Sequence, residues 1–282
     1  MVIGGNRADI VRQSVKKSFL WNSVTKLHLT ENMRVGRIIA QHPQRETELR
    51  HHAQWLLNVG VGALPRIDEN VIEIPSHMIC QTSDELQNRV HSQFCDNWEN
   101  RDYLSKRAIM TCRNKHCVEG NKKMVMELPG RVEILESFDQ CNEPDHQALH
   151  DSDFLKRIHG SELPPSQLHL KKGAVIILIC NLNVKQGHCN GTRHIVKNIS
   201  PHFIEATKLD GGDAENGTVF IPKIPMKSKE SDFPVLFTRL QFPVIGGHHL
   251  TFNRAQGQSL DHSGLCFPQS VFSHGDLCVG LS

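Results

Sequence analysis

The residues best suited to chemistry lie in a short polar run near the end of the chain. The run combines hydroxyl and carboxamide side chains with a guanidinium and a glycine: Thr251, Asn253, Arg254, Gln256, Gly257 and Ser259. Turn amides, carboxamides and a cation are together the groups that bind an anionic phosphate, in a nucleotide or in a nucleic-acid backbone. The run therefore predicts a phosphate-binding turn, although its spacing also fits an ordinary strand-to-helix connection.

The flanking residues predict the elements that position this turn. The apolar residues before it alternate along the chain: Phe242, Val244, Leu250 and Phe252. This alternation is typical of a buried strand. Gly257 allows the backbone to approach a ligand closely, and Ser259 can cap a following helix.

Composition is that of a soluble globular protein with room for one large or two ordinary domains. The chain has 282 residues, 38% of them hydrophobic and 22% charged. Its longest apolar run, Ala174 to Cys180, is too short to span a membrane, so no membrane partner is expected. The net charge is only +2, but residues 1–50 hold nine basic against four acidic side chains. This segregation fits either solvated faces or phosphate contacts.

The nine cysteines do not indicate a metal site. No Cys-x-x-Cys pair occurs, and the close group of Cys112, His116 and Cys117 does not provide four ligands at structural-zinc spacing. We therefore expect free thiols in a reducing compartment and no bound metal.

Strands alternate with amphipathic helices in the first part of the chain. Helices are predicted over 8–21, 45–59 and 114–128, and another begins at the capping box of Thr82 and Glu85. Strands are predicted over 27–29 and 107–111. The alternation is typical of an α/β fold with a parallel sheet.

The pattern changes after Leu163-Pro164-Pro165. From Gln167 to about Pro225 the sequence predicts short strands separated by turns, which is the pattern of a small antiparallel β-barrel. From about Asp232 the first pattern returns. We therefore predict a discontinuous α/β domain, 1–162 and 232–282, with the barrel inserted at 163–231.

Three ordered blocks in the last part of the chain resemble a known family. They are Gln241-Phe242-Pro243-Val244, then Thr251-x-Asn253-Arg254-Ala255-Gln256-Gly257-Gln258-Ser259-Leu260, then the run from Val271 to Ser282. These blocks are similar to the last two helicase motifs of the petite-integration-frequency (PIF-type) DNA helicases, in particular the branch carried by Helitron transposons. The resemblance implies an ATP-dependent helicase that moves 5′ to 3′ on single-stranded DNA. It also implies that the α/β domain is the second of two RecA-like motor domains.

The resemblance assigns roles residue by residue. Arg34 stands in Thr30-Glu31-Asn32-Met33-Arg34, which is similar to the fourth motif, whose arginine reaches the terminal phosphate of ATP. Gln256 and Gly257 would contact the nucleotide with it. The DNA-binding positions implied in the motor domain are Thr111, Asn114, Thr251, Asn253 and Arg254. In the insertion, the basic residues expected to be exposed and to contact DNA are Lys171, Lys172, Lys185 and Arg193.

The sequence lacks other parts of such a motor. It contains no Gly-x-x-x-x-Gly-Lys-Ser/Thr cradle and no acidic magnesium box, and its final Leu-Ser is not followed by the family's arginine. No catalytic set is therefore complete. We expect an upstream motor domain to supply the site for ATP and Mg²⁺, and we expect this polypeptide alone to bind neither and to be inactive as an ATPase.

Two departures from the family pattern lie near the DNA motif. Residues 245–249, Ile-Gly-Gly-His-His, stand where an arginine and small apolar residues are usual, and Gly280 stands where alanine is usual. The first departure questions the packing of the strand. A non-catalytic remnant that binds single-stranded nucleic acid is therefore the alternative function. The resemblance implies a nuclear location, with the mitochondrion as the alternative.

Overall fold

A computed structural model describes residues 7–68, 71–141, 152–158, 163–209, 217–228, 236–268 and 280–281. The chain divides into two compact units, residues 1–75 with 272–282 and residues 76–271. The first unit contains these elements in order: α1 (Arg7–Arg12), 3-10 turns at Val15–Lys17 and Phe19–Ser23, α2 (Met33–Gln41), a 3-10 turn at Pro43–Arg45, α3 (Glu46–Val61), and the antiparallel pair β1 (Arg66–Asp68) and β2 (Val71–Ile72).

Two expectations for the first unit are wrong. The helix predicted over 8–21 breaks after Arg12, because Ser14 and Ser18 take extended backbone angles and Ser18 Oγ accepts a hydrogen bond from Leu20 N. The strand predicted over 27–29 pairs with no strand in the described ranges, and Leu27 and Leu29 are 91% and 102% exposed. The helix predicted over 45–59 is confirmed as α3, which ends where Gly62 takes a φ of 70°.

The second unit is larger and holds the core. Its elements are, in order, a 3-10 turn at Ser76–Met78, α4 (Ser83–Val90), α5 (Phe94–Asn97), α6 (Arg101–Ser105), β3 (Arg107–Thr111), α7 (Asn114–Glu127), β4 (Glu133–Glu136), β5 (Phe138–Cys141), α8 (Ser152–Arg157), β6 (Gln167–Leu170), β7 (Val175–Leu178), a 3-10 turn at Val184–Gln186, β8 (Arg193–Ile199), β9 (Phe203–Lys208), β10 (Thr218–Pro222), β11 (Ile224–Lys227), β12 (Phe237–Gln241), β13 (Val244–Gly246), β14 (His249–Thr251), α9 (Phe252–Ala255) and β15 (His262–Cys266).

The α/β class with a parallel sheet is confirmed. Strands β14, β3 and β15 lie in that order, and both pairs are parallel. Helix α4 packs against β15, where a side chain at Gly264 would collide with Leu86 and Val90. Helix α7 packs against β14 and β13. This arrangement brings the ends of three strands to one edge.

The inserted region is antiparallel, as predicted, but its closure into a barrel stays a prediction. Five strands form one sheet in the order β10-β9-β8-β7-β13, with β10 and β13 at its two edges. A three-stranded sheet, β11-β12-β5, and the pair β4-β6 complete the strands of the described region.

The segment before the polar turn was predicted as one strand, and this is wrong. Phe242, Val244, Leu250 and Phe252 are all buried, but β13 belongs to the five-stranded sheet and β14 to the parallel sheet. The change occurs at Gly247, where a side chain would lie 2.9 Å from Val175 Cγ1. The two sheets therefore meet within one short segment.

A buried ion pair holds the three-stranded sheet to its neighbours. Arg239 and Asp139 are fully buried at their side chains, 0% and 2% exposed, with Nη2 and Oδ2 2.7 Å apart. Other N–H groups of the same guanidinium donate to the carbonyls of Leu155, Ile158 and Pro164. A single arginine thus joins β12 to β5, to α8 and to the segment before β6.

One hydrophobic core runs from the helices beside β3 into the five-stranded sheet. It includes Leu104, Met124 and Leu128 on the helical side and Ile176 and Ile195 in the sheet. The proposed domain boundaries at 162/163 and 231/232 and the final motif at 271–279 lie at or within residues outside the described ranges; Gly280 is helical. None of the described helices combines the length and apolar character that a membrane crossing needs.

Candidate nucleic-acid interface

The three parallel strands end together. Thr111 of β3 is in register with Thr251 of β14 on one side and with Cys266 of β15 on the other. Ligands of open α/β sheets bind beyond the carboxyl ends of such strands. Five predicted DNA-binding residues, far apart in sequence, lie at this carboxyl edge or one turn beyond it: Thr111, Asn114, Thr251, Asn253 and Arg254.

On the β3 side, Thr111 is buried and shapes the loop. Its hydroxyl donates to the carbonyl of Arg113 at 3.0 Å and lies 3.4 Å from Cys117 Sγ. Asn114 is exposed and opens α7. The N-cap residue Arg113 makes no side-chain cap bond, and the first turn has no acidic residue. The positive end of this 14-residue helix therefore remains suited to an anion.

On the β14 side, a buried phenylalanine anchors the polar residues. Phe252 opens α9 and stacks on Phe267 with ring centroids 5.6 Å apart. Asn253 is exposed, whereas Thr251 and Arg254 are half-buried. Burial lowers the pKa of Arg254, but an arginine remains charged at neutral pH. A carboxamide and a cation thus follow β14 at the same edge as the N terminus of α7.

The predicted nucleotide-binding residues fall in both units. Gln256 and Gly257 are exposed after α9, and Gly257 has a φ of 86° with no atom within 4 Å of a built side chain. A glycine is therefore required at position 257 because the backbone is left-handed there, and not because neighbouring atoms leave no room for a side chain. Gln258 Nε2 donates to the carbonyl of Gly191 at 3.1 Å, which fixes this turn to the loop before β8. Arg34 is exposed on α2 of the first unit.

The expected exposure of Lys171 and Arg193 is wrong, and neither side chain is available to DNA. Lys171 is 7% exposed, and its Nζ donates to the carbonyls of Met126 and Leu128 at the C terminus of α7. Arg193 is 1% exposed and donates to the carbonyls of Ser105 and Arg107, at the end of α6 and the start of β3. Cations suit these positions because the last carbonyls of a helix lack partners within it.

Lys172 and Lys185 are exposed, as predicted. Lys172 Nζ lies 3.4 Å from Glu99 Oε1. Alternation does not predict this difference: Leu168 and Leu170 are the buried residues of β6, so its pattern would expose Lys171, and both lysines follow the end of the strand. The sequence contains no signal for the helix ends that Lys171 and Arg193 cap.

Sequence reasoning missed the residue that connects α7 to β14. Asn121 is 7% exposed. Its Oδ1 accepts hydrogen bonds from the backbone N–H groups of His248 and His249, at 2.8 and 2.9 Å. Its Nδ2 donates to the carbonyls of His249 and Cys117, both at 2.8 Å. The Gly-Gly-His-His departure is therefore accommodated by specific contacts.

A cluster of buried imidazoles lies at the start of β14. The rings of His91 and His248 meet edge to face at 5.5 Å, and Phe94 contacts both. Burial, with the nearby charge of His249, Arg107 and Arg193, lowers the pKa of His91 to about 3. Burial, with Lys123 nearby, lowers the pKa of His249 to about 4, and burial holds the pKa of His248 well below its ordinary value. These rings are neutral at pH 7.

The thiols of Cys117 and Cys266, near the carboxyl edge, are also neutral. Burial raises the pKa of Cys117 to about 11, and it raises the pKa of Cys266. Within the described ranges, no group of three or more His, Cys, Asp or Glu residues is arranged to hold a metal ion.

Comparison with known proteins finds similarity to PIF1-type helicases. Residues 1–70 match the family model of the PIF1-like helicase, and residues 153–199 match that of the 2B domain of the DNA helicase Pif1. The ATP-dependent DNA helicase PIF1 of Xenopus laevis is 28% identical over 177 residues, which cover 62% of this chain and 26% of the relative. The enzyme of the same name from Homo sapiens is 27% identical over 163 residues, covering 57% and 23%. The chain thus spans about a quarter of the curated relatives that it matches.

A solved structure shares the fold. The crystal structure of Pif1 helicase from Candida albicans aligns with a TM-score of 0.55 at 18% identity, over 94% of this chain and 56% of that chain. This likeness agrees with the RecA-like α/β fold that the sequence resemblance implies. The family models and the curated relatives together support the resemblance of this chain to the PIF1-type DNA helicases.

Proposed function

We propose that the chain forms the second motor domain, with its insertion, of an ATP-dependent helicase that moves 5′ to 3′ along single-stranded DNA. The observation that carries the proposal is the carboxyl edge of the parallel sheet. There the exposed Asn114 and Asn253, the half-buried Arg254 and the uncapped start of α7 follow the ends of two adjacent strands. The curated relatives are ATP-dependent DNA helicases, which supports the same activity.

The chemistry of this edge suits a phosphate backbone rather than a base edge. A helix N terminus, carboxamides and a guanidinium all donate hydrogen bonds to phosphate oxygens, and such contacts carry no sequence information. Two of the solved relatives are described as bound to single-stranded DNA. We therefore propose single-stranded DNA, held without sequence preference, as the partner. In the insertion, Lys172 remains a candidate contact because it is exposed.

The nucleotide side of the motor requires residues that this sequence does not contain. We propose that Arg34, Gln256 and Gly257 contact ATP whose cradle and Mg²⁺ site belong to an upstream motor domain. The 282 residues contain no phosphate cradle, so this polypeptide alone should not hydrolyse ATP. The proposed domain limits are 1–162 and 232–282 for the motor domain and 163–231 for the insertion. The Helitron branch, and a nuclear location with the mitochondrion as alternative, rest on sequence resemblance.

Fluorescence anisotropy with a labelled single-stranded oligonucleotide tests the proposal. The chain should bind at low salt and weaken as salt rises, because each neutralised phosphate contributes a slope of about −0.7 in log K against log salt for single strands. Arg254→Ala should reduce the magnitude of that slope by about 0.7, the contribution of one phosphate contact. Lys227→Ala, at an exposed site on β11, should leave the slope unchanged.

The outcome distinguishes three cases. Salt-dependent binding that Arg254→Ala weakens supports the proposed interface. Equal weakening by both variants would contradict it, because general charge would then explain binding. Binding that is indifferent to a non-hydrolysable ATP analogue, both alone and with a PIF1-type first motor domain added, would favour the non-catalytic remnant over the motor.

A further inference from the structure

Strand β14 leads into the polar turn, but backbone pairing with other described strands holds it on one side only. It contains three residues and pairs, within the described sheet, with β3 alone. The N–H of Ile109 in β3 donates to the carbonyl of His248 at 2.9 Å. Because successive residues of a strand direct their backbone groups to opposite sides, the N–H and C=O of His249 point away from β3. That side needs another partner.

The side chain of Asn121 is that partner. A carboxamide offers one acceptor and one donor in a plane, as a peptide group does. Asn121 Oδ1 accepts from His249 N–H at 2.9 Å, and Nδ2 donates to His249 C=O at 2.8 Å. Its second pair of bonds joins the N–H of His248 to the carbonyl of Cys117. Among the described strands none pairs with β14 on this side, and one side chain of α7 takes that place.

Two glycines allow the side chain of Asn121 to contact the backbone of β14. A side chain at Gly120 would overlap the imidazole of His249. One at Gly246 would lie 2.5 Å from Cβ and Cγ of Asn121. Helix α7 therefore lies close enough to the β13–β14 junction for a short carboxamide to meet the backbone directly.

We propose that Asn121 is a positioning residue for the nucleic-acid interface. Through His249 it fixes β14 two residues before Thr251, and so fixes where Asn253 and Arg254 stand relative to the N terminus of α7. This inference rests on the proposed function. Asn121 itself does not touch the polynucleotide.

Two substitutions separate positioning from simple stability. Asn121→Leu keeps the number of heavy atoms and the branched shape of the side chain, with a somewhat larger volume, and removes all four hydrogen bonds. Asn121→Asp keeps the acceptor but, while ionised, loses the donor. The matched control is Leu155→Ala, a buried site in the separate cluster around α8, chosen to lower the thermal midpoint by a similar amount.

Oligonucleotide affinity is the first measurement. Asn121→Leu should weaken binding about tenfold or more at a temperature where all variants are folded, whereas Leu155→Ala should bind like the unmodified chain. Asn121→Asp should weaken binding as well, because an ionised carboxylate cannot donate to the carbonyls of His249 and Cys117. Wild-type affinity in either Asn121 variant would overturn the inference.

Hydrogen exchange without DNA keeps the inference testable if the chain binds no oligonucleotide. The amides of His248 and His249 should exchange at least about tenfold faster in Asn121→Leu and should be unchanged in Leu155→Ala. Unchanged exchange in Asn121→Leu would show that Asn121 does not hold β14. Faster exchange together with no DNA binding by the unmodified chain would instead show that the proposed function is wrong.

Discussion

Lowering the pH from 7 to 5 should destabilise the second unit strongly, because five of its imidazoles are buried. They are His91, His188, His194, His248 and His249. In each, burial is the main cause of a lowered pKa, which is about 3 for His91 and about 4 for His194 and His249. Between these values and the unfolded value near 6.5, the unfolded chain binds protons that the folded chain does not. Stability is therefore complete above pH 6.5 and is lost as the pH falls below it.

The magnitude at pH 5 depends mainly on the unfolded state. The four with the largest shifts, His91, His194, His248 and His249, are still neutral when folded and protonated when unfolded, so each costs about 2 kcal/mol for the 1.5 pH units below 6.5. Together they give roughly 8 kcal/mol, which is comparable to the whole stability of a typical domain. The charged neighbours in the fold, Arg107, Arg193, Lys123 and Lys208, act in the same direction because they repel an imidazolium.

Urea unfolding followed by circular dichroism between pH 7.5 and 5 measures this cost. Below pH 6 the free energy of unfolding should fall by about 5 kcal/mol per pH unit, which corresponds to four protons. His91→Phe should reduce that slope by one proton. Ile109→Val should lower stability by about 1 kcal/mol and leave the slope unchanged. A slope of less than one proton would refute the account of the histidine cluster.

Three further predictions concern buried contacts. Arg239→Met should cost about 3–5 kcal/mol in urea unfolding because Asp139 is left buried and unpaired, and a second change, Asp139→Leu, should recover most of the loss; no recovery would contradict the ion-pair explanation. Lys171→Met should cost about 2 kcal/mol through the lost helix cap and leave oligonucleotide affinity unchanged; a loss of affinity at equal folding would restore its predicted DNA role. Gly246→Ala should lower stability by about 1–3 kcal/mol through overpacking, whereas Gly36→Ala, in open space within α2, should raise it by about 0.5–1 kcal/mol; equal effects by thermal unfolding would refute the crowding argument.

The sequence predicted secondary structure best where the signal lies within the element itself, as with apolar periodicity and helix caps. The strand at 107–111 and the capping box at Thr82 and Glu85 both appear in the structure, where Thr82 Oγ1 accepts from Glu85 N. The pattern at 27–29 failed because a strand also needs a neighbour, which alternation cannot supply. The alternation of apolar residues along one segment also could not predict that the chain leaves the five-stranded sheet and enters the parallel sheet at Gly247.

The candidate site could be predicted only in part. Motif resemblance selected Asn114, Asn253 and Arg254, and the strand register brings them to one edge. Lys171 and Arg193 were selected on charge, although charge does not determine burial, and helix ends remote in sequence bind both of them. Roles in binding DNA or ATP remain predictions for all the selected residues.

The carboxyl edge as the DNA-binding surface is the central claim, and photocrosslinking tests it most directly. A single-stranded oligonucleotide with photoreactive thymidine analogues would be irradiated with the intact chain, and the attached peptides identified by mass spectrometry. We predict crosslinks within 111–115 and 251–258, with loss of the second group in Arg254→Ala and retention in Lys171→Met. Crosslinks confined to the five-stranded sheet, for example within 193–208, with none at the carboxyl edge, would contradict the account.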